Sequence, residues 1–220
     1  MTSIKLALTL LSLACLSVPE KCKAIDPSSF SHPIRVACVG DSITQGVGTQ
    51  NPNEGSYPAQ LQALLGKNWD VRNFGVGGRT LLRKADAYDY SGALACNPDA
   101  VVIALGTNDS KTEIWRAHQG EFVDDYVAMI KAFQALPSHP RVWVCLPPPA
   151  FPGNWGITED ALRDGVIPNI KKAAQLTGLP VIDLHTPLLG SKSLFPDAVH
   201  PNEAGAKRIA ECVAAALAKH

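Results

Sequence analysis

The chain alternates between two kinds of hydrophobic pattern. Five short apolar runs, at 34–39, 69–74, 100–105, 141–146 and 179–184, are nearly continuous, and several are rich in β-branched residues. A half-exposed strand would alternate apolar with polar positions; a continuous run is expected where a parallel sheet buries both faces. Between the runs the spacing changes to that of helices. Tyr57, Leu61, Leu64 and Leu65 fall on one helical face, as do Phe122, Tyr126, Met129, Ile130 and Phe133, and Ile209, Val213 and Leu217 recur within 202–219. Thr158 followed by Glu159 and Asp160 predicts a helix start, Gly178 predicts its end, and Pro168 a break or kink between them. Strand and helix alternate throughout, so the pattern predicts an α/β fold, a three-layer sandwich on a parallel sheet. No domain boundary is visible within 25–220. Ligands of such sheets bind beyond the carboxyl ends of the strands, which directs attention to the residues after each run.

Those residues are GDS at 40–42, NFGVGGRT at 73–80, GTNDS at 106–110, PPPAFPGNWG at 147–156, and a long segment at 185–202 ending DAVHPN. The first three are polar and glycine-rich. The chain has no GxSxG elbow, no HExxH, no Walker loop, and no GxGxxG in frame with a strand and helix. What it has can build acyl transfer, which needs a nucleophile, a base, an orienter for the base, and donors for a developing oxyanion. Ser42, at the start of a helix, would have backbone N–H groups beside its own oxygen. Asp197 and His200, three residues apart, can meet within one turn, and Pro201 keeps His200 out of helical geometry. The N–H groups of Ser42 and Gly78 with the side-chain amide of Asn108 would supply three oxyanion donors.

Each of these residues also has a plainer reading. Ser42 and Asp41 suit helix caps, the glycines suit a turn, and Asn108-Asp109-Ser110 suits loop punctuation or a glycosylation sequon. His185, with Asp183 two residues before it, is a rival base. Side chains two apart on a strand project in parallel, so a satisfied structural histidine is expected there. Trp115, Phe151, Trp155 and Arg79 are candidate substrate contacts; the aromatics would either stack on sugar faces or pin their own loops.

Composition narrows the class. The 220 residues are 46% hydrophobic, enough for a sizeable core. Twenty basic and twenty acidic side chains leave no net field for nucleic acid or for a cationic partner. At the start, Lys5 precedes LALTLLSLACLSV, a run shorter than the roughly 20 residues a membrane span needs. The following CKA predicts a signal peptide at 1–24 cleaved after Ala24, hence a secreted or periplasmic protein without stable membrane insertion. Export permits disulfides among Cys38, Cys96, Cys145 and Cys212. Cys38 and Cys145 lie inside strand-like runs and no CxxC occurs, so buried thiols are expected instead.

Taken together, GDSIT, NFGVGG, GTND and DAVHPN resemble the four blocks of the GDSL-type, or SGNH, hydrolases. The resemblance runs from about residue 34 to the C-terminus and departs in one place, Ile43, where leucine is common. It implies a flavodoxin-like five-stranded sheet of order 2-1-3-4-5. It also implies a Ser42–His200–Asp197 triad and an oxyanion hole of Ser42, Gly78 and Asn108, with Gly78 preferred to Gly75 by its place five residues after Asn73. No metal and no organic cofactor is implied. The loop wording resembles secreted bacterial carbohydrate O-acetylesterases of the sialate type, which implies short acyl groups on a carbohydrate or similar small ester. A lipolytic esterase, a lysophospholipase or a thioesterase would share the triad. A non-catalytic carbohydrate-binding module on this fold would be expected to lack a block.

Overall fold

A computed structural model describes residues 24–85, 89–153 and 155–218. Apart from Ala24, the expected leader lies outside the described residues. Five strands form one parallel sheet: β1 (Ile34–Gly40), β2 (Trp69–Gly75), β3 (Ala100–Ala104), β4 (Arg141–Leu146) and β5 (Val181–Asp183). Their order, β2-β1-β3-β4-β5, is the expected one. The helices around the sheet are α1 (Ser42–Gln45), α2 (Pro52–Gly55), α3 (Tyr57–Leu65), α4 (Ser91–Ala95), α5 (Thr112–His118), α6 (Phe122–Gln134), α7 (Glu159–Ala161), α8 (Ile167–Thr177) and α9 (Glu203–Leu217).

The continuous apolar runs divide their side chains between two cores, as alternation along a strand requires. Ala37, Val39, Val101, Ile103, Val142 and Val144 pack with α6 and α8 through Phe122, Tyr126, Ile130 and Ile170. Their neighbours Val36, Cys38, Val102, Trp143 and Cys145 pack with α3 and α9 through Tyr57, Leu61, Ile209 and Val213. All four described cysteines are free thiols, and burial pushes the Cys38 thiol up to about 12. Among the described residues no helix is long and apolar enough to cross a membrane.

Two expectations need correcting. Leu64 does not join the buried face of α3 but stands 49% exposed, one residue outside the stripe that Tyr57 and Leu61 define. The fifth strand is shorter than the apolar run at 179–184. Pro180 has no N–H to give a ladder, although its carbonyl accepts from Val144 N at 3.3 Å. At the other end the Asp183 carboxylate accepts from the N–H groups of His185 and Thr186, both at 2.9 Å, and closes the strand into a turn. The Thr158 and Gly178 expectations hold. Thr158 Oγ1 accepts from Ala161 N at 3.2 Å, and Gly178 ends α8 at φ 66°. Pro168 sits in the first turn of α8, and a π-helical turn, Leu162–Val166, precedes it. Widening that turn accommodates a ring that carries no N–H and crowds the turn before it.

Candidate active site

The strand order decides what meets at the carboxyl edge of the sheet. β1 lies between β2 and β3, so the loops bearing Ser42, Gly78 and Asn108 leave adjacent strands. Asp41 is the N-cap of α1; its carboxylate accepts from Ile43 N at 2.9 Å. Ser42 is therefore the first helical residue rather than the cap, and its hydroxyl is free for another partner. That partner is His200, whose Nε2 lies 2.9 Å from Ser42 Oγ. α1 is a single turn, so what it offers at Ser42 is a first-turn N–H with no partner inside the helix rather than a long helix dipole.

His200 reaches Ser42 across 158 residues of sequence. Its Nδ1 lies 2.6 Å from Asp197 Oδ2, and Asp197 Oδ1 accepts from the backbone N–H groups of His200 at 2.7 Å and Val199 at 3.1 Å. Burial pushes the Asp197 carboxyl up, but the His200 ring and these two N–H groups outweigh it and hold it below the usual aspartate range. Between them Ala198 takes φ 79°, in the left-handed region, which lets one carboxylate face both the ring and the backbone of its own turn.

In the glycine-rich loop Gly75 and Gly78 have different surroundings. The Gly75 N–H is taken by Asn73 Oδ1 at 2.8 Å, and a Cβ on Gly75 would come within 2.2 Å of Gln45 N. Gly75 is thus needed for the close approach of β2 to α1. Gly78 has φ 79° with open space where a side chain would be, in a turn closed by Arg79 N donating to the Val76 carbonyl at 3.4 Å. This loop runs beside the serine: a Cβ on Gly77 would lie 3.9 Å from that of Ser42. Asn108 Nδ2 donates to the Arg79 carbonyl at 3.0 Å, which ties the third loop to the second and leaves the other amide hydrogen without a partner among the described residues. Asn108, Asp109 and Ser110 are all buried, unlike the surface loop a glycosylated asparagine requires.

Two further carboxyls lie buried here. Burial pushes Asp41 up to about 7 against the Ile43 N–H, with neighbouring Asp109 adding to the rise. Burial pushes Asp109 up to about 6 although its oxygens accept from Leu81 N at 3.0 Å and Leu82 N at 2.9 Å. A carboxyl whose folded pKa is raised keeps a proton that the unfolded chain has lost. Stability therefore falls as pH rises from about 4, the unfolded value, through about 7. Asp41→Asn preserves the cap, since asparagine caps as well as aspartate, and removes this titration. In urea melts the variant is expected to gain on the order of 1–3 kcal/mol over the wild type at pH 8 and to show a flatter profile from pH 4 to 8. An unchanged slope would mean that Asp41 stays ionised in the folded protein.

The four expected substrate contacts separate. Trp155 joins the site: its ring stands perpendicular to His200 with centroids 5.1 Å apart, and its Nε1–H donates to the Asp197 carbonyl at 3.0 Å. Phe151 lies one layer out, against Phe195, with its N–H on the Ala198 carbonyl at 2.9 Å. Trp115 packs edge-on against Phe122 and over Gly165, so it pins α5 to the core. Arg79 borders the site through its carbonyl.

His185 is buried, and although its backbone N–H donates to Asp183, its ring nitrogens have other partners. Its Nε2 lies 2.8 Å from Glu159 Oε1 and its Nδ1 3.2 Å from the Pro147 carbonyl. Glu159 also accepts from Ala150 N at 3.0 Å, so it fastens the loop carrying Phe151 and Trp155 to the end of β5. Sequence pattern gives Glu159 no distinction beyond an acidic residue in a first helical turn.

With this geometry in view, the fold and the four blocks have a common origin. The chain belongs to the GDSL-like lipase/acylhydrolase family, whose model matches residues 38–208. It is 41% identical over 214 residues to an acetylxylan esterase of Xylanibacter ruminicola, an alignment covering 87% of this chain and 44% of that protein. The chain thus spans less than half the length of that curated relative. Among solved structures, the acetyl xylan esterase AlAXEase superposes with a TM-score of 0.65 at 25% identity, over 83% of this chain and 99% of that one. The lipase/acylhydrolase from Enterococcus faecalis superposes at 0.66 and 21% identity, over 83% and 94%, a likeness of fold.

Proposed function

We propose that this protein is an exported serine esterase that removes short acyl groups, acetyl first, from a carbohydrate or similar small ester. The observation that carries the reading is the continuous chain Ser42 Oγ–His200 Nε2 at 2.9 Å and His200 Nδ1–Asp197 Oδ2 at 2.6 Å. With a carboxylate on Nδ1, the imidazole keeps its proton there and presents a lone pair to the serine. His200 takes the Ser42 proton as Oγ attacks the ester carbonyl. The N–H groups of Ser42 and Gly78 and the Asn108 amide receive the oxyanion. The carbon–oxygen bond to the alcohol then breaks, His200 returns the proton to the leaving oxygen, and water releases the acyl group by the same sequence in reverse.

The 41% identity to a protein described as an acetylxylan esterase supports acetyl as the acyl group and a polysaccharide as the carrier. Export rests on the apolar run and CKA at the N-terminus. An acyl-chain series on nitrophenyl esters tests the reading: activity should peak at acetyl, and a maximum at long chains would replace it with a lipolytic one. Asn108→Ala is expected to lower kcat about 100- to 1000-fold, the cost of one oxyanion donor. KM should change little, because the donor acts on charge that develops after binding. A variant with wild-type kcat would remove Asn108 from the mechanism.

A further inference from the structure

We propose that Trp155 forms the leaving-group side of this site, its indole face receiving the pyranose ring whose ester is cleaved while its N–H holds the turn that carries Asp197. The inference rests on the assignment of His200 as the group that protonates the leaving alcohol. Four observations support it. First, Trp155 is the one aromatic among the exposed large hydrophobics of the described residues, 47% accessible. An indole left that open forgoes apolar burial that a folded chain ordinarily takes. Second, its ring is perpendicular to His200 with centroids 5.1 Å apart. The leaving oxygen must come within hydrogen-bond reach of His200 Nε2, so the sugar that bears it arrives beside the indole.

Third, the platform is held from beneath rather than left on a free loop. Trp155 Nε1–H donates to the Asp197 carbonyl at 3.0 Å, and Phe151 N donates to the Ala198 carbonyl at 2.9 Å. Gly153 passes so close that a Cβ there would meet the Ala198 Cβ at 2.8 Å. Fourth, Glu159 secures the far end of the same loop through Ala150 N and His185. A surface already ordered before binding loses little entropy when a ligand packs on it. A flat, half-exposed ring with its one polar atom already occupied suits the C–H face of a neutral pyranose, since the indole N–H is not available to the ligand.

Steady-state kinetics on two acetyl esters, an acetylated xylo-oligosaccharide and ethyl acetate, separate the two jobs. Ethyl acetate needs the triad but has no ring to place on the indole. Trp155→Ala should lose about tenfold more kcat/KM on the oligosaccharide than on ethyl acetate, mainly through KM. Trp155→Phe keeps a flat ring without the N–H. It should hold the ratio between the two esters within about twofold of wild type, while kcat falls by a similar small factor on both. Trp155→Leu, which keeps apolar bulk without a flat face, should lose the preference as the alanine variant does, and stands in for it if that variant does not fold. An equal fall on both esters in Trp155→Ala and Trp155→Leu would overturn the platform and leave Trp155 as a brace for Asp197, and no fall on either would overturn both roles. A wild type that cleaves ethyl acetate as efficiently as the oligosaccharide would overturn the carbohydrate reading itself, and the platform with it.

Discussion

Ser42→Ala is expected to abolish turnover, lowering kcat by about 10⁵- to 10⁶-fold. The hydroxyl is the Ser42 group that meets the His200 ring, at 2.9 Å, and a methyl group cannot form the acyl intermediate. What remains is the contribution of the oxyanion donors and of binding, which in triad enzymes still exceeds water by about 10³- to 10⁴-fold. The substitution should leave the fold intact. Alanine is a good helix former at this first helical position, the cap belongs to Asp41, and the cost is one hydrogen bond, about 1 kcal/mol. Thermal denaturation beside a nitrophenyl acetate assay checks both halves. An alanine variant with wild-type rate and unchanged melting would sink the mechanism.

Asp197→Asn is expected to lower kcat by about 10³- to 10⁴-fold with the fold preserved. The asparagine carbonyl can replace Oδ1, which accepts from the His200 and Val199 N–H groups at 2.7 and 3.1 Å, so the turn survives. The amide nitrogen then stands where Oδ2 was, 2.6 Å from His200 Nδ1, and presents a donor to that ring nitrogen. The imidazole is driven to the other tautomer, with its proton on Nε2 facing Ser42, where it cannot act as a base. Activity on nitrophenyl acetate against pH checks this: the loss should persist across the range instead of being recovered at high pH. A variant within tenfold of wild type would show that Asp197 does not set the tautomer. The carboxylate also bears on stability. Its folded pKa is lowered, so its contribution is present above the ordinary aspartate range and is lost as pH falls through the lowered value. This acts below the window in which Asp41 and Asp109 act, and in the opposite direction.

Much of the architecture was legible because it is written in local pattern. The runs at 34–39, 69–74, 100–105 and 141–146 became strands within a residue of their expected ends, since continuous apolar character over such lengths is satisfied only where both faces are covered. The fifth run was misjudged in length because hydrophobicity does not register that Pro180 lacks a donor or that Asp183 prefers to close a turn. Leu64 was misplaced because a helical face is read to within about one residue. The Asp197–His200 contact spans three residues and was open to inspection from spacing alone.

Local pattern along the chain specifies the strands, their coverage on both faces, and a set of polar residues at their carboxyl ends. Those are consequences of hydrophobic period and local turn chemistry, which act over a few residues. That Ser42 is a partner of His200 and not the cap of α1 emerges from the assembled fold, because it depends on a hydrogen bond across 158 residues. The same assembly brings β2 so close to α1 that Gly75 has no room for a side chain, and it draws Trp155 to the imidazole while sending Trp115 to the core. Aromatic residues carry no local signal of which side they will face. Their place is set by which loops the strand order β2-β1-β3-β4-β5 brings side by side, and that order arises from packing the whole chain.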